Sequence, residues 1–175
     1  MQDKIILGML SLKSMSVYEL KKNMEKSTRM FYNTSIGSIH PACQKLLKQG
    51  FVTCTEEMAG KRAKKVFAIT ENGRQDYIDW LKSPLGIGKI KDELLLRLFF
   101  FSDAGDAWRE VVENYLVEVK QISANLEQTK AGIDLSTIPA EFQRPAQFQT
   151  ATLDLGCAYY RFLQTWLEEF LAKDL

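Results

Sequence analysis

Apolar residues recur along the chain at helical spacing, and this pattern predicts a mainly helical protein. The first apolar set predicts a helix packed on a core, and it consists of Ile5, Ile6, Met9 and Leu10. Ser16 followed three residues later by Glu19 is the pattern of a capping box, which predicts that a second helix begins there. Lys21 and Lys22 lie on the outward side of that second helix.

The third predicted helix has one apolar face and one polar face. Ser35 or Ser38 can serve as its N-cap, and a cap at Ser38 places Pro41 in the first turn, where its missing N–H costs nothing. The apolar face comprises Ile39, Cys43, Leu46 and Leu47. The opposite face has no large apolar residue and comprises Gly37, Ser38, Pro41, Gln44, Lys45 and Lys48. We expect the helix to end at Gly50, because glycine tolerates a left-handed helix end.

Residues 51–69 alternate between apolar and polar in the manner of two strands joined by a turn. Phe51–Glu56 and Ala63–Ile69 are rich in β-forming residues, and the glycine in Met58–Arg62 predicts the turn between them. Thr70 is then expected to cap a fourth helix that runs to Lys82. The turn and its flank are basic because they carry Lys61, Arg62, Lys64 and Lys65. A polar, basic helix followed by a basic hairpin is the outline of a winged helix-turn-helix, whose helix fits the major groove.

The second half of the chain is predicted to be a separate helical domain. Proline and glycine within Ser83–Gly88 mark the boundary, which gives domains of residues 1–83 and 89–175. Asp92–Phe101 is apolar on nearly all sides after its acidic start, which predicts a buried helix. The expected fold class is mainly α with a small β-hairpin: an N-terminal winged helix-turn-helix plus a C-terminal α-helical dimerisation domain.

Two long helices complete this second domain and are expected to pair two chains. The first runs from Asp106 to about Lys130, and its apolar residues are spaced 4, 3, 4, 3, 4, which suits pairing with another helix. The second is expected from about Ala146 to Ala172, after a loop over Gly132–Pro145, and its apolar stripe is too wide for one partner helix. The residues predicted to hold the dimer are Trp108, Val112, Tyr115, Val119, Ile122 and Leu126 on the first helix and Phe162 and Trp166 on the second.

The net charge of +1 hides an asymmetry between the two halves. Residues 1–83 hold 14 Lys and Arg against 8 Asp and Glu, a net charge of +6, whereas residues 84–175 hold 9 against 14, a net charge of −5. Chance variation in the number of solvated charges could also produce such a difference, and it would then have no functional significance. The excess of positive charge coincides with the polar helix and the hairpin, however, and this favours nucleic acid as the partner of the first half.

The chain lacks the residue patterns of an enzyme, a metal site, a cofactor site or a membrane protein. Its one histidine, His40, lies in the third helix, so a catalytic triad would have to sit on the face predicted to bind DNA. Clustered Cys and His residues and glycine-rich phosphate loops are absent, and neither a metal nor a cofactor is expected. No secretory signal or membrane-spanning run is present. Three cysteines without a CxxC motif fit a reducing cytoplasm, where we expect the protein to be located.

The same residues resemble the PadR family of transcriptional regulators. The resemblance lies in SIGSIHPACQKLLKQGFV, the hairpin and KKVFAITENGR, and upstream in ILGMLSLKSMSVYEL with its Tyr-Glu-Leu motif at Tyr18–Leu20. KDELLLRLFF resembles the start of the C-terminal helical domain of the longer members, a layout shared with AphA-like virulence activators. One departure is His40, where the family usually has tyrosine. The resemblance implies a repressor that is relieved by a small aromatic compound, such as a phenolic acid or a lipophilic drug.

These observations predict a homodimeric regulator that binds a pseudo-palindromic operator in double-stranded DNA. Gln44 and Ser38 are the best candidates for reading base edges. The other residues expected to contact DNA are Tyr18, Lys21, Lys22, Ser35, His40, Lys45, Lys48, Lys61, Arg62, Lys64 and Lys65. A small aromatic effector is expected where Trp80 meets Phe99 and Phe100, although the same aromatic residues would equally suit packing between domains. The alternatives are a winged helix that binds only protein and a transcriptional activator without a small-molecule effector.

Overall fold

The computed structural model describes residues 1–28, 31–32, 36–59, 62–88 and 92–173. By its internal contacts the chain divides into two units, Met1–Gly88 and Lys89–Leu175. Helices dominate both units, and the described residues contain one small sheet, which belongs to the first unit. The prediction of a mainly helical chain with a small β-hairpin is confirmed.

The first unit has the element order of a winged helix-turn-helix. Its helices are α1 (Gln2–Leu12), α2 (Val17–Lys26), α3 (Ile39–Lys48) and α4 (Glu71–Lys82), and a 3₁₀ turn over Ile36–Ser38 leads into α3. Its strands are β1 (Met15–Ser16), β2 (Val52–Ala59) and β3 (Arg62–Ile69), which form an antiparallel sheet in the order β1-β3-β2. We call the hairpin of β2 and β3 the wing. It is longer than predicted, and β1 was not predicted because two residues are too short to leave a pattern.

Local sequence sets both ends of α3. The helix begins after Ser38, so Pro41 does lie in its first turn, but the Ser38 hydroxyl does not cap the helix backbone and donates to Gln2 Oε1 at 2.7 Å. At the other end Gly50 has a φ of 74°, in the left-handed region. The amides of Gly50 and Phe51 donate to carbonyls of the last turn of α3, which is the hydrogen-bond pattern of a glycine-terminated helix. The predicted end at Gly50 is confirmed.

The buried face of α3 is the one that the sequence predicted. Ile39, Cys43 and Leu46 are at most 1% exposed, and Leu47 is partly buried against the same core. The core they enter also contains Ile6, Leu7, Leu10, Met15, Leu20, Met24, Ala42, Val52 and Phe67. Burial raises the pKa of Cys43 to about 11, because the surroundings disfavour the thiolate. This thiol is therefore protonated at neutral pH and acts as a small apolar side chain.

The first turn of α4 is built against the turn that follows α3. The Thr70 amide donates to the Phe51 carbonyl at 3.0 Å, and the Thr70 hydroxyl donates to the Gly50 carbonyl at 2.7 Å. The same hydroxyl oxygen accepts from the Gly73 amide at 3.1 Å, which confirms the predicted cap. A Cβ atom on Gly73 would lie 2.0 Å from the Phe51 carbonyl oxygen, so the junction has room for glycine only.

The second unit consists of α5 (Glu93–Phe100), α6 (Ala107–Ala131) and α7 (Ala140–Leu171), with 3₁₀ turns over Phe101–Ala104 and Leu135–Thr137. The prediction of a loop up to Pro145 is wrong, since α7 begins at Ala140 and contains Pro145. Proline deprives one carbonyl of its hydrogen bond. In a helix of 32 residues the other backbone bonds and the packing on α6 outweigh that local loss.

The prediction that α5 is a buried helix is also wrong for the single chain. No residue of α5 is buried. Its exposed apolar side chains are Leu95, Leu96, Phe99 and Phe100, whose exposed fractions are 52%, 62%, 81% and 54%. The helix is nevertheless well started, because Asp92 Oδ1 accepts hydrogen bonds from the amides of Leu94 and Leu95. The sequence composition correctly indicates that this surface is apolar. It does not indicate whether another element of the same chain covers the surface.

The predicted seam of α6 packs against α7 of the same chain. Its buried members are Trp108, Val112, Val119 and Leu126, which are 8%, 0%, 1% and 6% exposed. Leu163 and Leu167 of α7 share the core with the first three. Side chains that are already buried within one chain have no surface left for a second chain. These four residues are therefore reassigned from the dimer contact to the core of the second unit.

The other residues predicted to hold the dimer differ in their exposure. Tyr115 is partly buried against the same core, while Ile122 is 39% exposed. Trp166 is also partly buried, with its ring stacked on Phe170 at 5.1 Å between centroids. Phe162 is 66% exposed and is free to meet a second chain.

Candidate nucleic-acid interface

The outward face of α3 presents polar and basic groups. His40, Pro41, Lys45 and Lys48 are exposed, and Gln44 is half-buried. At 100° per residue Gln44 and Lys48 lie opposite the buried stripe of the helix. The face thus offers an amide, which can pair with a base edge, beside ammonium groups, which suit phosphates.

Two residues of the predicted set contact α1 instead of pointing straight outward. Lys45 Nζ lies 2.6 Å from Asp3 Oδ2, and the Ser38 hydroxyl donates to Gln2. Both residues therefore lie on the side of α3 that faces α1. Lys45 must leave Asp3 to contact a phosphate, and because the pair is exposed the exchange costs at most about 1 kcal/mol.

A surface groove of about 550 Å³ lies between the start of α2 and strand β3. Four residues predicted to contact DNA line this groove, and they are Tyr18, Lys22, Lys64 and Lys65. The Tyr18 side chain is 71% exposed. Lys21 lies beside Tyr18 and Lys22 in a second, smaller groove along α2. The fold thus gathers a phenol hydroxyl and several ammonium groups from distant parts of the chain, all of them donors that phosphate oxygens accept.

Glu19 also lines the groove, and sequence reasoning did not place it there. Its Oε2 accepts from the Ser16 amide at 2.8 Å and from the Ser16 hydroxyl at 2.7 Å, and it lies 2.9 Å from Lys64 Nζ. The Ser16 amide, Lys64 and the Ser16 hydroxyl, in that order, lower the pKa of Glu19 to about 2. The capping box is confirmed. The ion pair to the wing had no local signal, since it depends on how α2 packs beside β3.

The wing is less basic than strand β3 alone suggests. The strand register places Glu57 opposite Lys64 and Glu56 opposite Lys65. Opposite charges at such positions stabilise a hairpin and reduce its net charge. Because successive strand residues point to opposite faces, Lys64 and Lys65 project from different faces of the wing. Lys61 and Ser35 lie outside the described residues, and of Arg62 the structure describes only the backbone at the start of β3.

The aromatic residues predicted to bind an effector belong to different units. Trp80, in α4, is half-buried, with its ring centroid 6.0 Å from that of Tyr77. Phe99 and Phe100, in α5, are exposed and meet edge to face with 5.0 Å between centroids. Each residue therefore has accessible aromatic surface within its own unit. Their joint role in one effector site stays a prediction.

Helix α7 has a second apolar face in addition to the one that packs on α6. Its members are Phe148, Leu155, Tyr159 and Phe162, which are 68%, 72%, 49% and 66% exposed. Their spacing places them along one side of the helix, adjoining the face that carries Leu163 and Leu167 of the core. We call this set the outer stripe of α7. Its existence explains why the apolar stripe read from the sequence is too wide for one partner helix.

The first unit, with its exposed polar helix and adjoining wing, has the architecture of a winged helix-turn-helix, the class of fold that places a recognition helix in the major groove. The chain is similar to the PadR-like family of transcriptional regulators. Residues 6–78 match the model of the transcriptional regulator PadR-like family, and residues 90–173 match the model of the virulence activator alpha C-terminal domain. The family resemblance predicted from the sequence is confirmed, and the family is one of regulators rather than enzymes.

Individual relatives agree with this assignment. The negative transcriptional regulator PadR of Bacillus subtilis is 25% identical over 95% of this chain and 93% of its own length. Its crystal structure in complex with operator DNA superimposes with a TM-score of 0.88 at 25% identity, covering 97% of this chain and 96% of that one. The Vibrio cholerae virulence activator AphA shares the fold, with a TM-score of 0.79 at 22% identity over 98% of this chain and 96% of that one.

Two further findings concern the described residues. No helix among them combines the length and the apolar character needed to cross a membrane. Within the same described ranges, no group of three or more His, Cys, Asp or Glu residues is arranged to hold a metal ion.

Proposed function

We propose that this protein is a homodimeric repressor that binds a pseudo-palindromic operator in double-stranded DNA. The observation that carries the proposal is the exposed polar face of α3 next to the groove lined by Tyr18, Lys22, Lys64 and Lys65. A helix of this kind reads base edges while flanking cations hold the phosphates. The B. subtilis relative, crystallised with operator DNA, supports the same reading.

Dimerisation is part of the proposal because an operator with two half-sites needs two recognition helices. In such complexes the helices enter successive major grooves roughly 34 Å apart. We assign the dimer contact to the exposed apolar side chains of the second unit, which are the outer stripe of α7 and those of α5. Apolar surface of this extent on a soluble chain is typical of an interface with another protein.

The recognition face is tested by replacing Gln44 with alanine. We expect a loss of about 1–3 kcal/mol in operator affinity, confined to one base-pair position in each half-site, because a side chain that reads one base loses that contact only. Fluorescence anisotropy with a set of single-substitution operators measures this. Gln75→Ala, on the exposed side of α4, is the matched control. If Gln44→Ala binds the operator as tightly as wild type does at every position, α3 does not read bases in the major groove.

The dimer contact is tested by replacing Leu155 and Phe162 with glutamate. These side chains are 72% and 66% exposed, so the second unit should stay folded while the dimer dissociates at micromolar concentration. Two like charges brought together at each site would oppose association. Sedimentation velocity gives the mass, and Leu85→Glu, at a fully exposed position of the first unit, is the control. A wild-type chain that sediments as a monomer would contradict the half-site arrangement altogether.

We further propose that a small aromatic compound releases the operator. The B. subtilis regulator has also been crystallised with p-coumaric acid; that structure matches this chain with a TM-score of 0.79 at 23% identity, over 98% of this chain and 96% of that one. The candidate contacts predicted from the sequence are Trp80, Phe99 and Phe100. A ligand acts only by binding one arrangement of the protein more tightly than the other, and tenfold release needs about 1.4 kcal/mol of coupling.

The effector proposal is tested by tryptophan fluorescence with a panel of phenolic acids and aromatic cations. We expect saturable quenching by a compound that also releases the operator. The affinity for that compound should fall at least tenfold in Trp80→Leu and in Phe99→Ala. Met58→Ala, at an exposed apolar position of the wing, is the control for unspecific binding to apolar surface. Release by a compound whose affinity is unchanged in these variants would place the effector site elsewhere.

An activator is the second candidate, and the observation that favours it is the match of residues 90–173 to the virulence activator C-terminal domain. A transcriptional reporter driven by the bound operator distinguishes the two. Loss of the protein should raise expression if it represses, and should lower expression if it activates.

A further inference from the structure

The groove of the proposed DNA-binding surface contains one carboxylate among its cations. Glu19 lies beside Tyr18, Lys22, Lys64 and Lys65, and its Oε2 is 2.9 Å from Lys64 Nζ. Both side chains remain accessible, with 40% of Glu19 and 35% of Lys64 exposed. The position that a DNA phosphate would take on Lys64 is therefore occupied by a carboxylate of the same chain.

Ser16 holds the same oxygen of Glu19 in this position. Glu19 Oε2 also accepts hydrogen bonds from the amide and hydroxyl of Ser16, through the capping box that starts α2. The carboxylate is therefore held at the helix start by partners other than Lys64. Lys64, which belongs to β3, has the alternative of turning to a phosphate, but only by giving up a fixed and ionised partner.

We infer that Glu19 is a built-in counter-charge that takes the place of a DNA phosphate on Lys64 and lowers the affinity of this protein for DNA of any sequence. The inference rests on the proposed function and deepens it. Because Glu19 neutralises Lys64, one cation fewer contributes to phosphate binding. The base contacts of α3 are not affected. The protein therefore relies more on base contacts than its count of lysines suggests.

Counterion release gives the inference a quantitative form. Each phosphate that a cation neutralises contributes about 0.9 to the slope of log affinity against log salt concentration. A Glu19–Lys64 pair has a net charge of zero and contributes almost nothing, so removing the carboxylate should restore up to one full contact. Glu57, opposite Lys64 on β2, then remains as the acidic neighbour of Lys64. From that slope the gain in affinity is about fivefold at 0.15 M salt and about fifteenfold at 0.05 M salt.

The test compares Glu19→Gln with wild type in the full chain, using a DNA duplex of unrelated sequence and the operator. Glutamine also forms the capping box, so the start of α2 is retained, and circular dichroism at the assay temperature verifies the fold. Glu113→Gln, at an exposed position of α6, removes the same charge from the other unit and is the matched control. We expect Glu19→Gln alone to bind both duplexes more tightly, with the salt slope steeper by about 0.9.

Several results would overturn the inference. Weaker DNA binding by Glu19→Gln would mean that Glu19 positions Lys64 for contact with DNA and does not compete with a phosphate for it. Equal gains in Glu19→Gln and Glu113→Gln would reduce the effect to net charge. Parallel salt slopes for wild type and Glu19→Gln would overturn the inference and leave DNA binding intact, whereas a wild-type chain that binds neither duplex at 0.05 M salt would overturn the proposed function itself.

Discussion

Replacing Gly73 with alanine is expected to destabilise the first unit by about 3 kcal/mol. The added Cβ would lie 2.0 Å from the carbonyl oxygen of Phe51 and 2.9 Å from its carbonyl carbon. Neither atom belongs to a flexible side chain, and the carbonyl already accepts the Thr70 amide at 3.0 Å. The backbone must move to make room, and that movement breaks the contact between the turn after α3 and the start of α4.

The sign of this effect is informative because helix propensity predicts the opposite. Within a helix, alanine is favoured over glycine by about 0.5–1 kcal/mol. Thermal and urea unfolding of Gly73→Ala, with the tyrosine and tryptophan signal of α4 as a probe, measures the balance. Gly86→Ala is the control, since nothing lies within 4 Å of a Cβ at that position. A more stable Gly73→Ala variant would show that α4 does not approach Phe51 as closely as described.

Replacing Val119 with aspartate is expected to destabilise the second unit by about 3–5 kcal/mol, the usual cost of an uncompensated charge in a core. Val119 is 1% exposed and belongs to the core that α6 forms with α7. The side chains that form the core around it are apolar and aromatic and include no cation, so a carboxylate there loses its water without gaining an ion-pair partner.

Val117→Asp provides the control within the same helix. Val117 is 67% exposed, so the same substitution two residues away should change the free energy of unfolding by at most about 0.5 kcal/mol. Near-ultraviolet circular dichroism follows the second unit through Trp108, whose ring lies 5.2 Å from that of Phe170. Equal losses in the two variants would contradict the orientation of α6. Dissociation of the dimer by Val117→Asp without unfolding would instead extend the proposed interface to that side of α6.

The capping box at Ser16 and the helix end at Gly50 show what local sequence specifies well. In each case the hydrogen bonds join residues within about one helical turn, so the residue types and their spacing contain the whole interaction. The family resemblance could be read from the sequence for the same reason, because its motifs lie within continuous segments. The polar face of α3 was likewise predictable, since a helix of known period has only one way to turn its buried stripe inward.

The start of α7 shows how a reliable local rule can fail. Pro145 predicts the end of a loop, yet the helix passes through it. A proline removes one hydrogen bond, whereas the α6–α7 contact extends over many residues and includes the ion pairs Lys120–Glu168, Glu127–Arg161 and Lys130–Asp154. Packing of that extent decides the outcome, and it cannot be read from the residues next to the proline.

Several basic residues of the first half have acidic neighbours that are distant in the sequence. The lysines and arginines predicted to contact DNA include Lys45, which lies beside Asp3, and Lys64, which lies beside Glu19. The strand register adds Glu56 and Glu57 across the wing. The net charge of the first half remains positive, but the number of lysines without an acidic neighbour is smaller than the composition suggests.

The sequence by itself determined the class of this protein: its helical periods, its caps, the hairpin and the basic first half all follow from residues close together in the chain. Tertiary structure alone decided which surfaces remain available. It packed the seam of α6 on α7 of the same chain, left the outer stripe of α7 and the apolar side chains of α5 exposed, and placed Glu19 on Lys64. The physical reason is that apolar periodicity indicates which face of a helix must be buried. Which element buries that face depends on which distant parts of the chain fit against it.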